Sequence, residues 1–185
     1  PQTVEQENPE PHFEAVAEIE SPIQENPASV INKIYISYRR ADSTYLVDQI
    51  RERLIAAFGK QGVFDDLDEV SAGTDFKTMI MNELNNCNVM LVVIGPQWAG
   101  IADTHGKRRL FDPNDFTRIE IEAGLKRLVE NKLLVIPVLV MNAAMPSADE
   151  LPESLSRLVF QNARILRNNL DFTHDIDRLI QDIKR

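Results

Sequence analysis

The feature that most constrains the fold of this chain is an uninterrupted apolar run that ends at a Gly-Pro pair, Val89-Met90-Leu91-Val92-Val93-Ile94-Gly95-Pro96. Because its residues do not alternate between apolar and polar, the run predicts a strand that is buried on both faces of a sheet. Strands of this kind are typical of the centre of a parallel sheet that helices cover on both sides. The run therefore predicts an α/β domain.

From residue 32 onward, short apolar runs alternate with longer helical stretches, as in parallel α/β folds. Strands are predicted at 34–38, 63–64, 89–94, 133–139 and 163–166. Helices are predicted at about 43–58, 74–86 and 175–184, at the segment that carries Phe116 and Glu120, and as a short piece at 153–160. Five parallel strands with helices on both faces predict a flavodoxin-like, doubly wound sheet, whose ligands bind at the carboxyl ends of the strands.

Composition divides the chain into two parts. Its 185 residues, 43% of them hydrophobic, are enough for one globular domain with a substantial core. Residues 1–30 hold seven Glu, five Pro and no Asp, Lys or Arg, which predicts an acidic, Pro-rich flexible linker. The other 22 acidic and 20 basic residues give 31–185 a net charge of −2, so this predicted domain has no electrostatic signature of nucleic-acid binding.

Cysteine and histidine content limits the chemistry further. Cys87 is the single cysteine, so no intramolecular disulfide can form, and we expect a structural thiol in a reducing, cytoplasmic setting. The three histidines show no metal-ligand spacing, and we expect no metal. The longest strongly apolar run, 133–141, is far shorter than the ~20 residues that cross a bilayer. Because the chain begins with Pro, we expect it to be part of a longer protein with a sensor before the linker.

An aromatic ring and a carboxylate lie four residues apart in the segment that follows the long 95–114 loop. Phe116 and Glu120 therefore share one face of a predicted helix. Asp112 is suited to cap this helix and Pro113 to occupy its first position. A ring and an acid presented together at a loop-to-helix junction suit a flat heterocycle joined to a sugar.

The common nucleotide motifs are missing. The stretch from Gly100 to Gly106-Lys107-Arg108 has one residue too many for a P-loop and lacks its Ser or Thr, and no GxGxxG occurs. The first predicted strand ends in Ser37-Tyr38-Arg39-Arg40, without the acidic pair of a phosphoacceptor receiver.

With these classes excluded, the chain resembles the Toll/interleukin receptor (TIR) domain family over residues 32–184. The residues that carry the resemblance close the first strand, form the loop after the second, open the third helix and form the fourth strand: Ile36-Ser37-Tyr38-Arg39-Arg40, Val63-Phe64-Asp65-Asp66 to Ala72-Gly73, Phe116 to Glu120-Ile121, Val135-Ile136-Pro137-Val138 and Leu151-Pro152. The Ser-Tyr-Arg-Arg sequence and the helix glutamate resemble the bacterial, NAD⁺-cleaving branch of the family. Phe116 departs from the Trp that this branch usually has, which leaves a smaller ring without an N–H donor.

The chemistry of NAD⁺ cleavage allows a single carboxylate. Ordinary glycosidases need two, because a departing alkoxide must be protonated. The nicotinamide of NAD⁺ is already cationic and leaves as a neutral molecule, so one acid that stabilises positive charge at the sugar is enough. Glu120 is the candidate, as electrostatic stabiliser or transient nucleophile; the alternative is a solvated helix glutamate without a function.

Further site residues are expected, four of which have a structural alternative. Substrate contacts are expected from Ser37, Arg39, Arg40, Phe116, Trp98 and Asp66. The alternatives are a strand end for Ser37, salt bridges to the acidic loop 65–69 for the arginines, and packing beneath the long loop for Trp98. Self-association is expected through the loop residues Leu67, Asp68 and Gly73. The run Lys107-Arg108-Arg109 is interpreted as a solvated loop face, and Asp103 as a loop residue.

Three functions remain open. The first is a cytoplasmic NAD⁺ glycohydrolase that takes NAD⁺ as substrate without a cofactor, is activated by self-association and acts in bacterial antiviral immunity. The second is a non-catalytic TIR–TIR interaction module. The third is an enzyme like the nucleoside deoxyribosyltransferases, which share this sheet and a glutamate that acts at the sugar.

Overall fold

The computed structural model describes residues 32–65, 75–168 and 170–185, apart from the side chains of residues 65 and 76. Its main elements are β1 (Ile34–Ser37), α1 (Arg40–Phe58), β2 (Val63–Asp65), α2 (Phe76–Asn86), β3 (Val89–Ile94), α3 (Phe116–Val129), β4 (Leu134–Val140), β5 (Arg164–Leu166) and α4 (Phe172–Ile183). Short 3-10 helices lie at Lys60–Gly62, Arg109–Phe111, Ala148–Glu150 and Glu153–Phe160. The predicted linker 1–30 and the predicted loop residues Asp66, Leu67, Asp68 and Gly73 lie outside the described residues.

The five strands form one parallel sheet in the order β2-β1-β3-β4-β5. This confirms the predicted flavodoxin-like, doubly wound fold. All six residues of β3 are buried, as the unbroken apolar run predicted. The carboxyl ends of β1 and β3 lie side by side, with Ser37 opposite Val92, and this edge of the sheet carries the site described below.

Three predicted helix starts are displaced. The helix α1 begins at Arg40 rather than at Ser43, so Arg39 and Arg40 belong to its start and not to the end of the first strand. The helix α4 begins at Phe172, three residues before the predicted Asp175. The displacement of α3 affects the site and is described with it.

Helices cover both faces of the sheet and give two apolar cores. One core packs α1 and α4 on the sheet, and the other packs α2, α3 and the 3-10 helix Glu153–Phe160 on the opposite face. Successive residues of β1 contribute to opposite cores, as the period of two in a strand requires: Ile34 and Ile36 lie in the first, whereas Tyr35 lies in the second. Tyr35 is thereby directed toward the helix that carries Glu120.

The loop after β3 is tied down at its start. Asp42, in the first turn of α1, accepts hydrogen bonds from the backbone N–H groups of Gly95 and Gln97, both at 2.9 Å. Further along, Asp103 accepts from the backbone of His105 and Lys107, which confirms it as a loop residue. Side chain to backbone bonds thus order much of this long connection.

Cys87 is buried, with 2% of its surface exposed, between α2 and β3. Burial raises the pKa of its thiol to about 12. The predicted structural role for this thiol fits both observations. Among the described residues, no helix combines the length and the apolar character that a membrane crossing needs, and no group of three or more His, Cys, Asp or Glu side chains could hold a metal ion.

Candidate active site

The helix α3 begins at Phe116, and Asp115 is its N-cap. The Asp115 carboxylate accepts a hydrogen bond from the backbone N–H of Arg118 at 3.1 Å. The predicted start, with Asp112 as cap and Pro113 as first residue, is wrong, because Asp112 instead accepts from the backbone N–H of Asn114 in a preceding turn. The structure nevertheless places Phe116 and Glu120 in the first two turns of this helix, as predicted.

The two side chains at this junction differ in exposure. Phe116 is 46% exposed, whereas Glu120, one turn further along the same helix, is 4% exposed. The interpretation of Glu120 as a solvated helix glutamate is therefore wrong. An accessible ring and a sheltered carboxylate stand next to each other at the carboxyl edge of the sheet.

Two hydroxyls from β1 bind the Glu120 carboxylate. The Tyr35 hydroxyl donates to Oε1 at 3.0 Å, and the Ser37 hydroxyl donates to Oε2 at 2.6 Å. Tyr35 and Ser37 are two residues apart on a strand, so their side chains point to the same face of the sheet. Both are buried, at 2% and 1% exposure. Ser37 ends β1, as one of its two interpretations stated, but its bond to Glu120 was not predicted.

Arg39 is buried and belongs to the framework of the site. Its Nη1 and Nη2 donate to the two carboxylate oxygens of Asp115 at 3.1 and 2.9 Å, and its Nε donates to the backbone carbonyl of Trp98 at 3.1 Å. Asp115, which was not predicted, is the carboxylate that Arg39 binds among the described residues, and the predicted partner side chains at 65–69 lie outside them. A bidentate arginine that is 4% exposed is turned toward the protein and not toward a ligand. It fastens the start of α1 to the start of α3.

Arg109 is a second cation on Asp115, with its Nε 3.2 Å from Oδ2. Arg108 donates to the backbone carbonyl of Glu150 and lies 4.4 Å from the centre of the Phe111 ring. The run 107–109 was interpreted as a solvated face, which holds for the exposed Lys107 and Arg109, whereas Arg108 is half-buried. The loop is attached to the domain through these arginines.

Trp98 is completely buried in the core that α2 and α3 share. The predicted second aromatic surface for a ligand is therefore wrong, and packing beneath the long loop is the role that the structure supports. Arg40 is the first residue of α1 and is exposed. Of the predicted contact residues, the structure brings Ser37, Phe116 and Glu120 together, leaves Arg40 exposed just after β1, and turns Arg39 and Trp98 inward.

Sequence reasoning missed Tyr35 and Asp115 as members of the site. The period of two along β1 was a usable signal for Tyr35, because a tyrosine two residues before Ser37 must share its face. Asp115 was hidden because Asp112, three residues earlier, is an equally good capping residue by type.

The sheet order and the buried acid at its carboxyl edge define a flavodoxin-like α/β domain with a candidate active site at that edge. The family model described as TIR domain matches residues 34–180. The chain belongs to the TIR domain family.

Comparison with solved structures finds TIR domains that resemble this chain. The TIR domains of the activated Roq1 resistosome, which directly recognises the pathogen effector XopQ, superpose with a TM-score of 0.62 at 16% identity, over 82% of this chain and 99% of that chain. The TIR domain of the Toll-related receptor TRR-2 from Hydra magnipapillata gives a TM-score of 0.48 at 19% identity, over 82% of this chain and 98% of that chain. No curated protein sequence matches this chain.

Proposed function

We propose that this TIR domain is an NAD⁺ glycohydrolase, which cleaves the bond between nicotinamide and ribose and gives ADP-ribose or a cyclic isomer. The observation that carries the proposal is the Glu120 carboxylate, which is buried and oriented by Tyr35 and Ser37 one helical turn from the half-exposed ring of Phe116. Family membership supports the same reading.

The reaction requires little beyond a placed negative charge. As the C1′–N bond breaks, positive charge develops on the ribose while nicotinamide leaves as a neutral molecule. A carboxylate that is already oriented and sheltered from water stabilises this charge more than a mobile surface carboxylate does, because the low local dielectric strengthens the attraction. Glu120 provides this stabilisation in the proposed mechanism. Water or a hydroxyl of the substrate then captures the sugar.

Phe116 and Arg40 are the proposed binding residues. With 46% of its surface exposed, Phe116 can stack on the nicotinamide or adenine ring. Arg40, exposed at the start of α1, is placed to donate to the pyrophosphate. Arg39 acts at a distance in this scheme, since it holds the Asp115 cap of α3. Asp66 is also proposed to contact the substrate, on the basis of the sequence alone.

We further propose that self-association activates the domain, through the residues Leu67, Asp68 and Gly73. The support for an assembled active form is the similar fold of the TIR domains in the activated Roq1 resistosome, with which this chain shares 16% identity. In this proposal a sensor elsewhere in the protein triggers assembly, and the domain acts in the cytoplasm as an effector of antiviral immunity.

The proposal is tested by nicotinamide release from NAD⁺. Glu120→Gln should lower release by more than about 100-fold, because the charge is lost while the shape is kept. Glu122→Gln is the matched control: it removes a glutamate two residues away that pairs with Arg118 on the same helix, and release should remain within about twofold of the unmodified chain.

Two other outcomes identify the alternatives. Release that persists in Glu120→Gln would contradict the assigned role of this carboxylate. No release by the unmodified chain, even at high concentration and with a crowding agent, would favour a non-catalytic interaction module. Cleavage of nucleosides in place of NAD⁺ would indicate the deoxyribosyltransferase-like reaction.

A further inference from the structure

We infer that Tyr35 is a positioning residue of the site, which together with Ser37 fixes both oxygens of the Glu120 carboxylate and favours its ionised form. The inference rests on the proposed function for its catalytic consequence. Its starting observation is that the two hydroxyls reach different oxygens of the same carboxylate, at 3.0 and 2.6 Å.

The two donors are held by the most constrained part of the sheet. β1 pairs with β2 on one side and with β3 on the other, where Tyr35 lies opposite Phe64 and Met90. A strand with neighbours on both sides has little freedom to move its side chains relative to the sheet. The position of the Tyr35 hydroxyl is therefore fixed by the backbone pairing and by the burial of its ring in the core beneath α3.

Two donors on two oxygens fix the plane of the carboxylate. A single hydrogen bond leaves the terminal torsion of a glutamate free to turn, and this torsion is broad and two-fold in its preference. Bonds to Oε1 and Oε2 from one strand oppose that rotation. The carboxylate then presents a defined orientation toward whatever lies beside Phe116.

The two hydroxyl donors also favour the ionised form of Glu120, and they bring no charge of their own. A hydrogen bond to the charged form of an acid stabilises that form, whereas burial disfavours it. If Glu120 takes up a proton, one of its oxygens can no longer accept from its hydroxyl in the same way. Removal of the Tyr35 hydroxyl should thus shift the titration of Glu120 toward higher pH.

The test compares two hydroxyl deletions with matched controls in the full 185-residue chain. Tyr35→Phe and Ser37→Ala remove the two donors. Tyr45→Phe is the control for the first, since Tyr45 is 76% exposed. Ser43→Ala is the control for the second, because Ser43 is buried and its hydroxyl has no hydrogen-bond partner among the described residues.

The first readout needs no enzymatic activity. Carbon-13 NMR of glutamate-labelled chain follows the side-chain carboxyl carbon of Glu120 against pH, and the resonance is assigned by its loss in Glu120→Gln. We expect its titration midpoint to rise by about one pH unit in Tyr35→Phe and in Ser37→Ala, and to stay unchanged in both controls.

The second readout is kinetic. In Tyr35→Phe we expect kcat to fall about tenfold, KM to stay within about twofold, and the acid limb of the pH profile to move upward with the NMR midpoint. A merely structural role would lower activity without moving the acid limb, and thermal unfolding of each variant measures that contribution separately.

An unchanged Glu120 titration in folded Tyr35→Phe would overturn the inference, whatever Ser37→Ala shows. If the unmodified chain releases no nicotinamide, the proposed function fails while the NMR titration still decides the positioning role. If Tyr35→Phe does not fold, an unchanged titration in Ser37→Ala overturns the inference that the two hydroxyls act together on Glu120.

Discussion

The starts of α3 and α4 both place a buried acid close to a neighbouring strand, but they supply it with different hydrogen-bond donors. At α4, Asp175 accepts from the Nη2 and Nε of Arg167 at 2.7 and 2.8 Å. The same arginine also pairs with Asp171. At α3, Glu120 accepts from the hydroxyls of Tyr35 and Ser37.

The difference lies in the donors: Arg167 carries a charge, whereas the hydroxyls of Tyr35 and Ser37 are neutral. A bidentate guanidinium neutralises a carboxylate and lowers its pKa, which for Asp175 falls to about 2. Hydroxyls orient a carboxylate without bringing a charge of their own. At the start of α3 both kinds of acid occur, since Asp115 takes the guanidinium of Arg39 and Glu120 takes the hydroxyls.

The largest expected effect is the loss of the Asp115 charge. Asp115→Asn keeps a good capping side chain but leaves the guanidinium of Arg39, 3% exposed, without its carboxylate partner. An uncompensated buried charge costs about 3–5 kcal/mol of unfolding free energy. Urea unfolding, followed by circular dichroism, measures this loss.

Arg109→Ala is the matched control for this prediction. It removes the other cation on the same carboxylate, but that side chain is 47% exposed, so the loss should stay below about 1 kcal/mol. If both substitutions lowered the free energy of unfolding equally, the buried Arg39–Asp115 pair would be no more important than the exposed Arg109–Asp115 pair, which contradicts the prediction.

A third acid, Asp42 at the start of α1, extends the comparison to backbone donors. A methyl group on Gly95 would lie 2.3 to 2.8 Å from the Asp42 carboxylate, which itself accepts from the N–H of Gly95. Gly95→Ala should therefore cost about 1–3 kcal/mol through overpacking. Gly100→Ala is the control, because its nearest neighbouring atom would be 3.7 Å away, and it should leave the urea midpoint nearly unchanged. A tolerated Gly95→Ala would mean that Asp42 is not held tightly.

The fold could be predicted from the sequence because its signals are local. The unbroken run of β3 predicts a central parallel strand, and the spacing of Phe116 and Glu120 predicts a shared helix face. Each signal lies within a few residues of the structure that it predicts. The helix starts were predicted less accurately. Asp112 and Asp115 are equally suitable caps by residue type, and only the folded loop decides between them.

The partners of the site could not be predicted, because they are distant in sequence. Tyr35 lies 85 residues from Glu120, and Arg39 lies 76 residues from Asp115. Residue type alone cannot show whether an arginine turns toward a carboxylate or toward a ligand. Trp98 was ambiguous for a similar reason, since a large ring suits a core and a ligand surface equally well.

A smaller effect is expected in the acid stability of the chain. The hydrogen bonds from Arg167 lower the pKa of Asp175 from 3.8 to about 2, so this acid stabilises the fold above pH 3.8. That contribution is lost as the pH falls from about 4 toward 2. In Asp175→Asn, stability should therefore fall less steeply across this window than in the unmodified chain, although it is lower at neutral pH.

The exposed Asp149 provides the control for this measurement, and Asp149→Asn should leave the pH dependence unchanged. Urea unfolding at several pH values gives the slopes. Identical slopes for the unmodified chain and Asp175→Asn would show that Arg167 does not hold the carboxylate in solution, and the contrast between the two helix starts would then weaken.

The smallest expected effect concerns the reactivity of Cys87. Burial is the main cause of the shift in its pKa, whereas hydrogen bonds are the main cause for Asp175. Burial is the largest cause of the rise of its pKa to about 12, with the charge of Glu83 adding to it, so the shift is opposite in direction to that of Asp175. At pH 8 the thiol should stay protonated and inaccessible, and Ellman's reagent should label it only after unfolding.

Thr104→Cys, at an exposed loop position, is the reference for an accessible thiol and should react within minutes. Because Cys87 is the chain's single cysteine, the native signal has no other source. Rapid labelling of the folded chain would mean that the junction of α2 and β3 opens readily. That junction belongs to the same core that surrounds Tyr35, so such opening would also loosen the hydroxyl donors of Glu120 and blur the distinction between the two helix starts.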